Sequence, residues 1–147
     1  MYTEREMRSR LEILLQSYCN LINIEGKTMV EMTRKEILPA VSEYSRLLSN
    51  TALSKTSLCA ELDCSYEKET LAEISPLTAK AYEAVKTLEQ ALSNANKADG
   101  AQKLSVYYKD EVLPVMAKLR EAVDRLEQLV SEDFWPMPTY GDLLFTI

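Results

Sequence analysis

The side chains with chemical reach in this 147-residue chain are few in kind: three cysteines, Cys19, Cys59 and Cys64, and 23 acidic residues, with no histidine. Without imidazole there is no Ser-His or Cys-His nucleophile pair, no histidine general acid or base, and no zinc or di-iron site of the kinds that need histidine ligands. The cysteines are odd in number and fall in no ligand spacing, so they read as small packed or surface thiols. None of the three glycines, Gly26, Gly100 and Gly141, lies in a phosphate-cradling pattern, which counts against phosphoryl transfer within these residues. The carboxylates are spread along helical stretches. Glu25 is the one candidate for a buried acid, because the first apolar seam would carry it inward, and a lone buried carboxylate reads as structurally paired. No catalytic, cofactor-binding or metal-binding residue is expected in the chain.

The elements that position these groups are helical. Hydrophobic residues make up 46% and charged residues 27%, enough for one domain with a core, and glycine is scarce. The net charge is −6, with no cluster of Lys and Arg, so nucleic acid is not an expected partner. No run approaches the apolar length of a membrane span and no secretory signal pattern opens the sequence; a cytoplasmic protein without a membrane partner is expected.

From Thr3 the chain reads as a long helix in which Met7, Leu11, Leu14, Tyr18 and Leu21 recur at 4-3-4-3 spacing, the seam of a helix packed lengthwise in a core. A second stripe, Val30, Ile37, Val41, Tyr44 and Leu48, follows about two residues out of phase. Either the helix breaks near Gly26 or its halves face different partners, and the second reading is the favoured one. Pro39 and Pro114 sit in similar settings, Glu36-Ile37-Leu38-Pro39 and Glu111-Val112-Leu113-Pro114, where prolines kink helices; four matching positions are too few to argue a duplication.

Residues 49–65, rich in Ser, Thr and Cys, read as a connection holding at most a short helix. Ser65 can cap the next helix, with Glu67 and Glu69 in its first turn, and Glu67-Lys68-Glu69 reads as a solvated face. Leu71, Ile74, Ala81, Val85, Leu88 and Leu92 then form a stripe, with Pro76 either kinking the helix or marking its start. After a turn cluster, Asp99 and Gln102 suit a capping box for a last helix that carries Val112, Met116, Leu119, Val123, Leu126 and Val130 and runs to about Glu132. The expected fold is all-α: an antiparallel bundle of three long helices over residues 1–133, with an extended aromatic and proline-rich tail over 134–147.

That tail differs from what precedes it. It holds the only Trp and both Phe of the chain and ends in an apolar run, whereas loose chain ends are normally polar. It is expected to dock, on its own bundle or on another polypeptide surface, through Phe134, Trp135, Pro136, Pro138, Tyr140, Asp142, Leu143, Leu144 and Phe145.

The tail Trp135-Pro136-Met137-Pro138-Thr139-Tyr140-Gly141-Asp142-Leu143-Leu144-Phe145 resembles the carboxyl-terminal signature of the type III glutamine synthetases. Ser9 to Leu15 with Tyr18, Asn23-Ile24-Glu25 with Thr28-Met29 and Met32, Ile37 to Val41, Val112-Leu113-Pro114 with Met116, and Leu126-Glu127 are similar to that family's final helical region. Gly26-Lys27 departs from the family pattern of a small residue followed by an apolar one. The resemblance implies a fragment of a longer enzyme that uses ATP and Mg or Mn upstream to condense glutamate with ammonia and assembles into ring-based oligomers. The fragment would be a structural and assembly domain without a catalytic or cofactor site, whose partners are the upstream catalytic region and neighbouring subunits. The alternative is a free-standing helical adaptor or oligomerisation module that binds a protein partner.

Overall fold

The computed structural model describes residues 3–95, 97 and 100–138, and among these all regular structure is helical. Three long helices account for it. The first covers residues 4–58 as Glu4–Met32, a π-helical turn Thr33–Ile37, and Leu38–Leu58. The second is Ser65–Ala95, and the third covers residues 101–129 as Ala101–Tyr107, a π-helical turn Tyr108–Val112, and Leu113–Leu129. No helix here is long and apolar enough to cross a membrane.

The first helix opens on a capping box: the Thr3 hydroxyl accepts from the Glu6 N–H while the Glu6 carboxylate accepts from the Thr3 N–H at 2.7 Å. It runs unbroken through Gly26. Glycine is tolerated there because the second helix crosses close by: a Cβ on Gly26 would lie 3.0 Å from one Leu92 methyl and 3.2 Å from the other.

Residues 49–58 correct the expected connection, since they continue the first helix and leave only residues 59–64 as the link. The hydroxyls explain why composition misleads. Ser49 donates to the Ser45 carbonyl, Thr51 to that of Leu47 and Thr56 to that of Ala52, each at 2.8 Å, so these side chains satisfy themselves within the helix. In the link the Asp63 carboxylate accepts from the Ser65 N–H at 2.8 Å; the side-chain cap of the second helix is therefore Asp63, in place of Ser65. Pro76 lies inside the second helix and does not start it. Of the proposed capping box at the third helix, Asp99 lies outside the described residues. The helix follows Gly100, whose φ of +93° is a conformation that glycine adopts without strain.

Pro39 and Pro114 each stand two residues after a π-helical turn, where the Leu38 N–H reaches back five residues to the Thr33 carbonyl and the Leu113 N–H to that of Tyr108. Proline in a regular helix leaves a carbonyl unpaired and presses its ring on it. The wider turn relieves both problems, so the helix continues through each proline.

The core lies where the three helices meet. Val41, Ile74, Val85, Leu88, Val112, Leu119 and Leu126 are all but sealed from solvent, and burying each such side chain contributes about 1.5–3 kcal/mol. The stripes read from sequence at 37–48, 74–92 and 112–130 supply most of it. Arg34 pairs with Glu89 and Lys55 with Glu67, while Glu73 pairs with Arg125 and Tyr107 donates to the Ala91 carbonyl.

Candidate docking surfaces

Two places in the fold gather the residues singled out above. At the first, residues 130–138 follow the third helix and reach the first helix at Tyr44. After Leu129 the chain makes a tight turn in which the Phe134 and Trp135 N–H groups both donate to the Ser131 carbonyl, at 2.9 and 3.1 Å. The turn aims the indole inward: Trp135 is 8% exposed and belongs to the core, with Phe134 and Met137 half-buried against it. Pro136 and Pro138 face outward, as the alternation of an extended segment requires. The Phe134 ring stands 5.5 Å from that of Tyr44, tilted by 50°. Of the other tail residues expected to dock, Tyr140, Asp142, Leu143, Leu144 and Phe145 lie outside the described residues.

Tyr44 ties this seat to the start of the second helix. Its hydroxyl is 3.1 Å from that of Tyr66, and burial, reinforced by that hydrogen bond, pushes its ionisation up to about 12. One residue on, Glu67 is buried and salt-bridged to Lys55, which also reaches the Asp63 carbonyl at 3.4 Å. The hydrogen bond from Lys55 holds the Glu67 carboxyl below its ordinary range and raises the lysine in turn. The second carboxylate oxygen of Glu67 is buried with no partner among the described residues. This corrects two expectations. Glu67 is not on a solvated face, and the buried acid is not Glu25, which is exposed. Its helical position gives no warning: only the return of residues 49–58 as helix brings Lys55 alongside.

Of the cysteines, Cys19 and Cys64 are buried and Cys59 is exposed, all as free thiols. Cys64 sits in the link with its Sγ 3.7 Å from the Ala52 carbonyl, and burial raises the Cys19 thiol. Among the described residues no three of His, Cys, Asp or Glu gather closely enough to hold a metal ion.

The second place is the outer half of the first helix. The seam expected in the core is on the surface instead: Met7 is 62% exposed, Leu11 56%, Leu14 67% and Leu21 57%, and Tyr18 is also exposed. What this half buries is Cys19, Ile22 and Gly26, whose phase continues into Thr33, Ile37, Val41, Tyr44 and Leu48. Periodicity identified an apolar face but not the surface that covers it. A shallow hollow, about 580 Å³, lies beside this half between Leu11 and Leu15 and the start of the third helix at Gly100 to Lys103.

Set beside known proteins, residues 1–56 match the family model of the glutamine synthetase C-terminal domain. The whole chain is 35% identical to a glutamine synthetase of Butyrivibrio fibrisolvens, of which it spans 21%. Over 99% of its length it is 30% identical to a glutamine synthetase of Bacteroides fragilis, again spanning 21%. Over 95% it is 25% identical to a type-3 glutamine synthetase of Dictyostelium discoideum, spanning 20%. The chain thus covers about a fifth of the length of these relatives. The match of residues 1–56 to the domain model, together with similarity along this whole chain to about a fifth of these enzymes, places the chain in the glutamine synthetase family, at its C-terminal domain.

Proposed function

We propose that this chain is the structural and assembly domain at the C-terminal end of a glutamine synthetase, an antiparallel three-helix bundle with a docked tail that joins the catalytic region to its surroundings and performs no chemistry itself. The parent would be a cytoplasmic ligase of nitrogen metabolism, condensing glutamate and ammonia at the expense of ATP. ATP and Mg or Mn would be held upstream: the carboxylates of this chain are scattered along helices, and no described cluster suits a metal ion, so no step of that reaction is assigned to these residues. The partners are the upstream catalytic region and neighbouring subunits.

One observation carries the reading. The apolar file Met7, Leu11, Leu14 and Leu21 is more than half exposed, on a helix face that the described residues leave open, in a chain that spans only a fifth of its relatives. An exposed apolar patch of this length marks an interaction site. The tail supports a second contact: with Phe134 against Tyr44 and Trp135 buried, the apolar run Leu143, Leu144 and Phe145 would anchor the domain.

The experiment is to replace Leu11 and Leu14 together by Glu in the full-length enzyme and, separately, to delete residues 134–147, measuring sedimentation and glutamine formation. Both variants are expected to lose assembled enzyme and activity together. Intact assembly and full activity in both would overturn the proposal.

A further inference from the structure

The outer half of the first helix is apolar on two sides, and this says what kind of surface covers it. At about 100° per residue, Ile22, Gly26 and Cys19, buried against the body of the fold, occupy a sector of about 60°. Immediately beside it, Leu11, Tyr18, Met7, Leu14, Leu21, Ile24 and Ile13, all exposed, extend over about a further 160°, interrupted by Ser17 and Arg10. A helix on the surface of a globular protein carries an apolar stripe of roughly 100°, and one that pairs with a single partner helix carries a narrower one. A helix apolar around most of its circumference is a buried helix. One packed helix cannot cover the outward sector; a broad face, a sheet or a pair of helices, is required.

Resting on the reading above, we infer that this outward sector is covered in cis, by a broad apolar face of the polypeptide upstream of Thr3 in the same enzyme chain, so that residues 7–24 form a shared core helix between the catalytic region and this domain. Two observations favour the upstream polypeptide over a neighbouring subunit. The Thr3–Glu6 capping box starts the helix at an extended Thr3 backbone (φ −73°, ψ 155°), four residues before Met7, so polypeptide joined at that end is tethered next to the outward sector. A surface tethered that closely competes at a high effective concentration against any separate molecule. The relatives also supply a large polypeptide for the purpose, since about four-fifths of their length lies outside the match.

Hydroxyl-radical footprinting of Met7, Leu14 and Tyr18 tests this in three samples: this chain alone, the assembled full-length enzyme, and the same enzyme dissociated into single subunits that keep their helix content. The expected result is strong labelling in the chain alone and protection in both forms of the enzyme. Protection in the assembled form only would overturn the cis contact while leaving the assembly role standing. Labelling in all three would overturn both. Protection in the chain alone that dilution relieves would assign the face to a second copy and overturn the inference. Leu14→Glu with Leu21→Glu is the companion variant: it should leave the melting temperature of this chain unchanged and split the single unfolding transition of the full-length subunit into two. An unsplit transition at the wild-type temperature would count against the contact.

Discussion

The two halves of the first helix are chemically alike and structurally opposite. Both carry apolar residues at three- and four-residue spacing, yet Ile37, Val41, Tyr44 and Leu48 are sealed in the core while Met7, Leu11, Leu14 and Leu21 stand in solvent. The difference is one of company. The inner half lies along the second helix, which meets it at the Arg34–Glu89 and Lys55–Glu67 pairs, whereas the described residues that the outer half buries are Cys19, Ile22 and Gly26, on one side of the helix. Amphipathic spacing therefore marks a face fit for burial, and only coordinates say whether the same domain buries it.

Substitutions can break or sharpen that contrast. The largest effect is expected from Leu48→Ala, which opens a cavity at a 5% exposed site in the inner half and should cost about 2–5 kcal/mol in urea unfolding. Gly26→Val probes the boundary between the halves: with Leu92 methyls already 3.0 and 3.2 Å from a Cβ, added branches overpack the crossing, and a loss of about 1–3 kcal/mol is expected by the same measurement. Glu67→Gln tests the clamp at the far end of the inner half through its pH dependence. A carboxyl lowered in the folded state contributes stability above its unfolded value, about 4.3, and that contribution is lost as pH falls through the lowered folded value. The variant should flatten acid unfolding in this range. At the alkaline end the sign reverses for Tyr44: its contribution is present below about pH 10 and fades as pH rises through about 12, which Tyr44→Phe should remove. The smallest effect is expected from Leu14→Ala, within about 0.5 kcal/mol, because a 67% exposed side chain has little burial to lose in this chain. A cost comparable to that of Leu48→Ala would erase the distinction between the halves.

Much of this architecture is legible in the sequence. The stripes at 74–92 and 112–130 mark buried faces because helix packing repeats with the helix, and of the turn cluster read at 94–100 the described Lys97 stands in a turn after the helix end at Ala95. The readings that fail do so for identifiable reasons. Residues 49–58 read as a linker because serine and threonine resemble loop composition, yet in a helix their hydroxyls bond the carbonyl four residues back. Glu67 reads as solvated because its burial depends on Lys55, twelve residues away across a turn. The π-helical turns leave no signal in composition beyond the Leu-Pro pairs that follow them, and the repeat of Glu-hydrophobic-Leu-Pro at 36–39 and 111–114 marks both places. Trp135 is buried, and the contact of the Phe134 ring with Tyr44 is a tertiary fact that no local pattern encodes.

The seat of Trp135 also supplies the molecule with a probe of its own. It is the sole indole in the chain, and it rests against the core beyond the last helical turn, so ultraviolet emission reports this one seat while circular dichroism reports the helices. An indole shielded from water emits at shorter wavelength than a solvated one. If the returning segment peels away while the helices persist, the emission reddens with the ellipticity unchanged, and detachment can be followed without a label.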